Sequence, residues 1–213
     1  MRRLPDDKFR GRKLVNNVTT YRLFLGIYPP ISYISYFRNV LQVFDKQKRN
    51  LRSIPVDQTH LTLRFIGGFV TESSKDLIIE ELQKHVGNFP KPTINIDKIQ
   101  FGFKYQNDPR VLMASIQDNK DLIDLSDIVH EKIRSLRLDD TIRWKEKGHK
   151  TFHITISRLK ENATRSSGKE ILNLIGNVKV PKPEPFTTEN LDFVVSKLTS
   201  QGPVYKKLSQ IIL

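Results

Sequence analysis

Polar and apolar residues alternate along residues 60–65, and a period of two over that length predicts a strand. In an extended chain successive side chains point to opposite faces, so Leu61, Leu63 and Phe65 fall on a core face while His60, Thr62 and Arg64 share the other. Gly67 and Gly68 read as the end of that run. The alternation returns over residues 152–159, from His60 to His153 a step of 93 positions, with the same His-x-Thr order against Phe152, Ile154 and Ile156.

The segments around these two strands have their own periods. Residues 20–28 form a short apolar run rich in aromatics, which suits a buried strand closed by Pro29 and Pro30. Ile31, Ile34, Phe37, Leu41 and Phe44 then recur at helical spacing, and residues 46–52 read as a basic turn. A second helix is expected on Leu77, Ile78, Leu82 and Val86, capped by Ser73 or Ser74 and stopped by Gly87. Residues 93–103 and 110–116 look like an antiparallel pair, and Leu122, Leu125, Val129, Ile133 and Leu136 mark a third helix. A charged loop over residues 143–150 leads into the second His-x-Thr strand. A short helix on Ile171, Leu172, Ile175 and Val178 follows, then a strand over residues 186–198 and a packed segment over residues 202–208. Each His-x-Thr strand is thus followed by a helix, a proline-bearing turn and another strand. That shared order predicts an internal duplication with two equivalent histidines facing one cleft.

Composition narrows the chemistry. The chain of 213 residues has no cysteine, which excludes a disulfide framework, thiolate metal sites and a cysteine nucleophile. A net charge of +13, from 36 basic and 23 acidic residues, favours a polyanionic partner such as RNA. No run is long and apolar enough for a membrane span, so a cytoplasmic protein with no membrane association is expected. Residues 1–19 carry Arg2, Arg3, Lys8, Arg10, Arg12 and Lys13 with no apolar period, and read as a mobile basic arm ahead of a single domain over residues 20–213.

A lone His-x-Thr strand more often marks a packed histidine than a catalyst. Two in the same phase reverse that, because core packing has no reason to repeat a polar pair. Histidine titrates near neutral pH, so one ring can take a proton and the other give one during displacement at phosphorus. Thr62 and Thr155 reach the same face and can donate to a phosphate oxygen, and Arg64 can offset developing charge. No metal and no cofactor are expected. A zinc site on His60, His149 and His153 is the weaker alternative, since His149 precedes His153 across a strand entry. His85 and His130 read as surface histidines, and Trp144, Phe152 and Tyr105 as weak candidates for stacking on a base.

The residues that carry the pattern resemble a known family. Residues 60–63 and 153–156 are similar to the paired H-Φ-[S/T]-Φ signature of the two-histidine (2H) phosphoesterases. Residues 22–30, 60–67, 109–112 and 152–158 resemble the corresponding strands of its LigT-like branch, the RNA 2′,3′-cyclic phosphodiesterases or 2′-5′ RNA ligases. The resemblance covers roughly residues 20–210. It implies an α+β fold of two lobes related by a pseudo-two-fold axis, each an antiparallel sheet backed by helices, with the active site in the cleft between them. It also implies opening of 2′,3′-cyclic phosphate ends to a 2′-phosphate, with a reversible 2′-5′ ligase activity in some relatives. By matching positions His60 is the proton donor and His153 the proton acceptor, Thr62 and Thr155 hold the phosphate, and Arg158 corresponds to a basic residue after the second motif. Strict alternation turns Arg158 off the catalytic face, so its participation requires a bulge or strand end. The implied partners are RNA or nucleotides with 2′,3′-cyclic phosphate ends, tRNA fragments included, and no obligate protein partner is evident. The alternatives are a 2′-5′ oligonucleotide phosphodiesterase and a non-catalytic RNA- or nucleotide-binding module. Three features depart from the family pattern, namely the arm, the basic approach to the second motif with Trp144, and the basic connection over residues 46–52. All three could widen an RNA groove.

Overall fold

Leu61 and Ile154, the core-facing residues next to the two motif histidines, lie directly opposite each other, the sole register pair between their strands. In this computed structural model they join two half-sheets into one antiparallel sheet. The structure describes residues 12–15, 18–103, 106–141, 151–199 and 202–213, with backbone alone at 12–15 and 18.

The strands are β1 (Arg12–Val15), β2 (Val18–Ile27), β3 (Leu51–Ser53), β4 (Leu61–Thr71), β5 (Thr93–Ile94), β6 (Ile96–Phe101), β7 (Val111–Ile116), β8 (His153–Leu159), β9 (Phe186–Thr187), β10 (Asn190–Thr199) and β11 (Gly202–Ile212). The helices are α1 (Ile31–Val43), α2 (Glu72–Val86), α3 (Lys120–Ser135) and α4 (Arg165–Ile175). The main sheet runs β11-β10-β2-β4-β8-β7-β6, with β1 paired to β2, β3 to β8, and β5 to β9 in a separate ribbon. One lobe is β1, β2, β4, β10 and β11 against α2 and α3; the other is β3, β6, β7 and β8 against α1 and α4.

The duplication expected from the sequence has a specific form. β2 feeds α1 across to the second lobe, and β7 feeds α3 across to the first. The ribbon pairs Thr93 with Thr187 and Ile94 with Phe186, again bringing together matching places in the two repeats. Equivalent residues facing each other at Leu61–Ile154 and in the ribbon are the mark of a two-fold axis running through both.

The helix starts follow from local chemistry. Pro30 precedes α1, and its carbonyl accepts from the amides of Tyr33 and Ile34. The side chains of Thr71, Asn119 and Thr164 accept from the amides of Ser74, Leu122 and Ser167 at the starts of α2, α3 and α4. The cap of α2 is therefore Thr71, not Ser73 or Ser74.

Other expectations are corrected. β4 continues through Gly67 and Gly68, where a Cβ on Gly67 would stand 2.8 Å from the Asp140 carbonyl oxygen, so the glycine admits a close backbone approach without ending the strand. The basic turn ends in a strand, β3, whose Leu51 is buried. α4 begins six residues before Ile171, and the C-terminal segment is a full edge strand. Within the segment read as an arm, Arg12–Val15 pairs with β2, which itself starts at Val18.

Candidate active site

Both histidines flank the axis, and both are held the same way. The Nδ1–H of His60 donates to the Gln58 carbonyl at 2.7 Å, and that of His153 points at the Thr151 carbonyl at 3.4 Å. A carbonyl only accepts, so Nδ1 carries the proton in each ring and Nε2 presents its lone pair. The acceptor lies two residues upstream in both cases, a second mark of the duplication.

Their surroundings differ. His60 stacks on Phe24 with centroids 4.6 Å apart, meets the ring of Tyr205 edge-on at 4.7 Å and lies 5.6 Å from Tyr28. Burial among these rings drives its pKa down to about 4, and His153 and Arg158 add to the fall against the opposing Gln58 hydrogen bond. His153 has one ring neighbour among the described residues, Phe103, edge-on at 5.1 Å. Its pKa is also lowered, by burial first and by Arg158 second.

Beyond the threonines the two strands do the same unexpected thing. In β4, Thr62 pairs with Gly26 and Arg64 with Leu25, so Leu63 and Arg64 together oppose one step of β2. In β8, Thr155 pairs with Met113 and Ser157 with Leu112, a bulge at the matching place. Each bulge puts two consecutive side chains on the core side and restores the next residue to the cleft face.

Arg158 is thereby returned to the face of His153 and Thr155, the bulge its participation required. Arg64 goes the other way: it is 3% exposed and lines a cavity of about 330 Å³ with His130, Arg134, Arg137 and Thr141. Its expected place beside His60 and Thr62 is corrected by the bulge. The residue equivalent to Arg158 is Phe65, and a cation on that side comes from β2 instead, Arg22, whose guanidinium carbon lies 4.4 Å from the centre of the Phe65 ring.

Thr62 is exposed and Thr155 half-buried on the cleft face. Phe152 is buried in the core and takes no part in stacking on a ligand. His85 is exposed as expected, whereas His130 is half-buried beside Arg64. Tyr105, Trp144 and His149 lie outside the described residues.

Alternation along single strands could not find several cleft residues. Arg52 of β3 is the cross-strand partner of Arg158, and Tyr205 of β11 reaches over His60. Lys207 lies 3.9 Å above the Tyr28 ring and 3.0 Å from the buried Asp192 carboxylate, which also accepts from Gln210. Burial raises the Tyr205 pKa, and Arg158, Arg22 and Arg52 oppose the rise.

Among solved structures, the fold matches that of TT0787 of Thermus thermophilus with a TM-score of 0.69 and 22% identity, over 90% of this chain and 97% of that one. E. coli LigT complexed with 3′-AMP matches with a TM-score of 0.61 and 18% identity, over 90% of this chain and 97% of that one. A structure described as a phosphoesterase matches with a TM-score of 0.62 and 18% identity, over 91% and 98% of the two chains. No protein-family model and no curated protein matches the sequence. At these identities the likeness is one of fold, and the fold is the two-lobed α+β arrangement of E. coli LigT that the resemblance implied.

Proposed function

We propose that the protein is a phosphodiesterase of the two-histidine type, opening the 2′,3′-cyclic phosphate ends of RNA to a 2′-phosphate. The observation that carries the reading is the pair of imidazoles with bare Nε2 atoms at equivalent positions about the axis, each followed two residues on by a threonine facing the same cleft. E. coli LigT, which shares the fold, is described in complexes with phosphate, 3′-AMP and ATP, and nucleotide-type ligands suit this cleft as well.

In this reading one ring removes a proton from the attacking water while the other gives one to the departing ribose oxygen. Matching positions give the donor role to His60 and the acceptor role to His153. The hydroxyls of Thr62 and Thr155 donate to the non-bridging oxygens, and Arg158 offsets the charge that builds on them. His60 is the harder of the two to protonate in the empty site. Its role as donor therefore depends on the bound phosphate, whose negative charge favours the imidazolium. Ligation would follow the same path with the 5′-hydroxyl of a second strand in place of water. It attacks the cyclic phosphate, its proton passes to the acceptor ring, and the 3′ oxygen leaves with the proton of the donor ring, giving a 2′-5′ linkage.

The test is turnover of an RNA oligonucleotide ending in a 2′,3′-cyclic phosphate, in EDTA, with 2′- and 3′-phosphate products resolved. The expected product is 2′-phosphate alone, with His60→Ala and His153→Ala each losing about 10²-fold or more in kcat. Wild-type turnover in either variant, or a 3′-phosphate product, would overturn the proposal.

A further inference from the structure

Arg52 and Arg158 face each other across β3 and β8. Like charges placed opposite each other in a sheet repel, so the pairing calls for an anion. Among the described residues no carboxylate forms an ion pair with Arg22, Arg52 or Arg158. The buried carboxylate on this side, Asp192, is already engaged by Lys207 and Gln210.

The three guanidiniums are positioned by what they pack on. The Arg22 guanidinium carbon lies 4.4 Å from the centre of the Phe65 ring, which fixes the group on the cleft side of β4, and its N–H groups can donate to an anion. The Arg52 guanidinium rests on the start of β11, 3.2 Å from where a Cβ on Gly202 would stand, and φ there is +114°, a conformation suited to glycine. Three residues on, Tyr205 sets its ring against His60 and its hydroxyl within the field of all three arginines.

The cluster is one-sided. A phosphate reacting between two equivalent histidines lies near the axis, served by Thr62, Thr155 and Arg158. Arg22 and Arg52 gather around Tyr205, whose ring meets His60 edge-on, whereas the ring against His153 is the apolar Phe103.

We infer that Arg22, Arg52 and the Tyr205 hydroxyl, with Arg158 at their border, form a second anion subsite beside His60 that holds a phosphate other than the one being opened. The inference rests on the proposed function and names its substrate class: an end that carries a further phosphate, as an oligonucleotide does, and not an unphosphorylated nucleoside cyclic phosphate. Guanidinium forks suit this task because each offers paired N–H donors to two phosphate oxygens.

The experiment measures binding of adenosine 2′,5′-bisphosphate and adenosine 2′-monophosphate to the full chain at fixed ionic strength, together with kcat/KM for adenosine 2′,3′-cyclic phosphate with and without a 5′-phosphate. The bisphosphate is expected to bind about tenfold tighter or more. That ratio should shrink towards one in Arg52→Gln and Arg22→Gln and be partly retained in Arg52→Lys, which keeps the charge without the fork. Equal affinities in the wild type, or an undiminished ratio in both glutamine variants, overturns the subsite. A preference for the bisphosphate without turnover of either cyclic phosphate supports the subsite and overturns the phosphodiesterase reading. Turnover of both at equal efficiency with equal affinities does the reverse.

Discussion

His60 and His153 occupy equivalent positions in unequal surroundings, and the difference reaches the chemistry through proton affinity. The productive form has one ring protonated and one neutral, and its population peaks midway between the two pKa values whichever ring donates. Both pKa values in the empty site lie below the ordinary 6.5, with His60 at about 4. The expected kcat/KM profile is therefore a bell centred below pH 6.5, falling on the alkaline side as the donor loses its proton. The kcat profile should sit at higher pH, because the bound phosphate raises both rings. Rate measurements against pH on a cyclic-phosphate substrate check this, and a kcat/KM optimum at or above pH 7 contradicts it. The two arginines after the motifs should separate just as cleanly. Arg158→Ala is expected to lower kcat/KM by about tenfold or more with little change in melting temperature. Arg64→Ala, at a buried site facing α3, should lower the melting temperature by several degrees, of the order that one or two kcal/mol produces, while the folded fraction stays active. The reverse pattern would place Arg64 in the cleft.

Alternation within one strand was enough to find both motif strands and their core faces as far as the bulges, because Leu61, Leu63, Ile154 and Ile156 are buried, whereas Phe65, read on the core face, is turned to the cleft. It was not enough to place Arg64 and Arg158. A bulge is a mismatch between a strand and its neighbour, so it is written in the pairing of β4 with β2 and of β8 with β7 and in neither strand alone. The same limit hid β3, whose three residues carry too short a pattern, and Tyr205, whose approach to His60 is set by the order of strands β11-β10-β2-β4. What pairing does for the site is clearest at Leu61 and Ile154, which are fully buried and form the single register contact between the motif strands. Truncating either to alanine should cost about 2–5 kcal/mol, from lost transfer and the cavity left behind. Each truncation also loosens the spacing of both histidines, so kcat should fall in the fraction that remains folded. Urea denaturation with activity measured on the folded protein tests the two effects. A loss of stability with unchanged kcat would show that the histidines are placed by other contacts.

Across the whole molecule, the crossing of α1 and α3 between lobes holds the two halves in one body, and the three cleft arginines lie where those halves meet. The net charge of +13 then matters in two separable ways, as general attraction for a polyanion and as contacts at fixed positions. Release of counterions from single-stranded nucleic acid gives log K a slope of about −0.7 per phosphate contact against log salt. Three contacts from Arg22, Arg52 and Arg158 alone give a slope of about −2. Residues 1–11 add Arg2, Arg3, Lys8 and Arg10 against Asp6 and Asp7. If the segment serves RNA, the full chain should show a steeper slope than a variant starting at Arg12, by about one contact or more, with kcat on a nucleoside cyclic phosphate the same in both. Binding titrations of a short RNA at several salt concentrations decide the matter. Equal slopes would assign those charges to solvated surface and leave the cleft arginines as the source of the affinity.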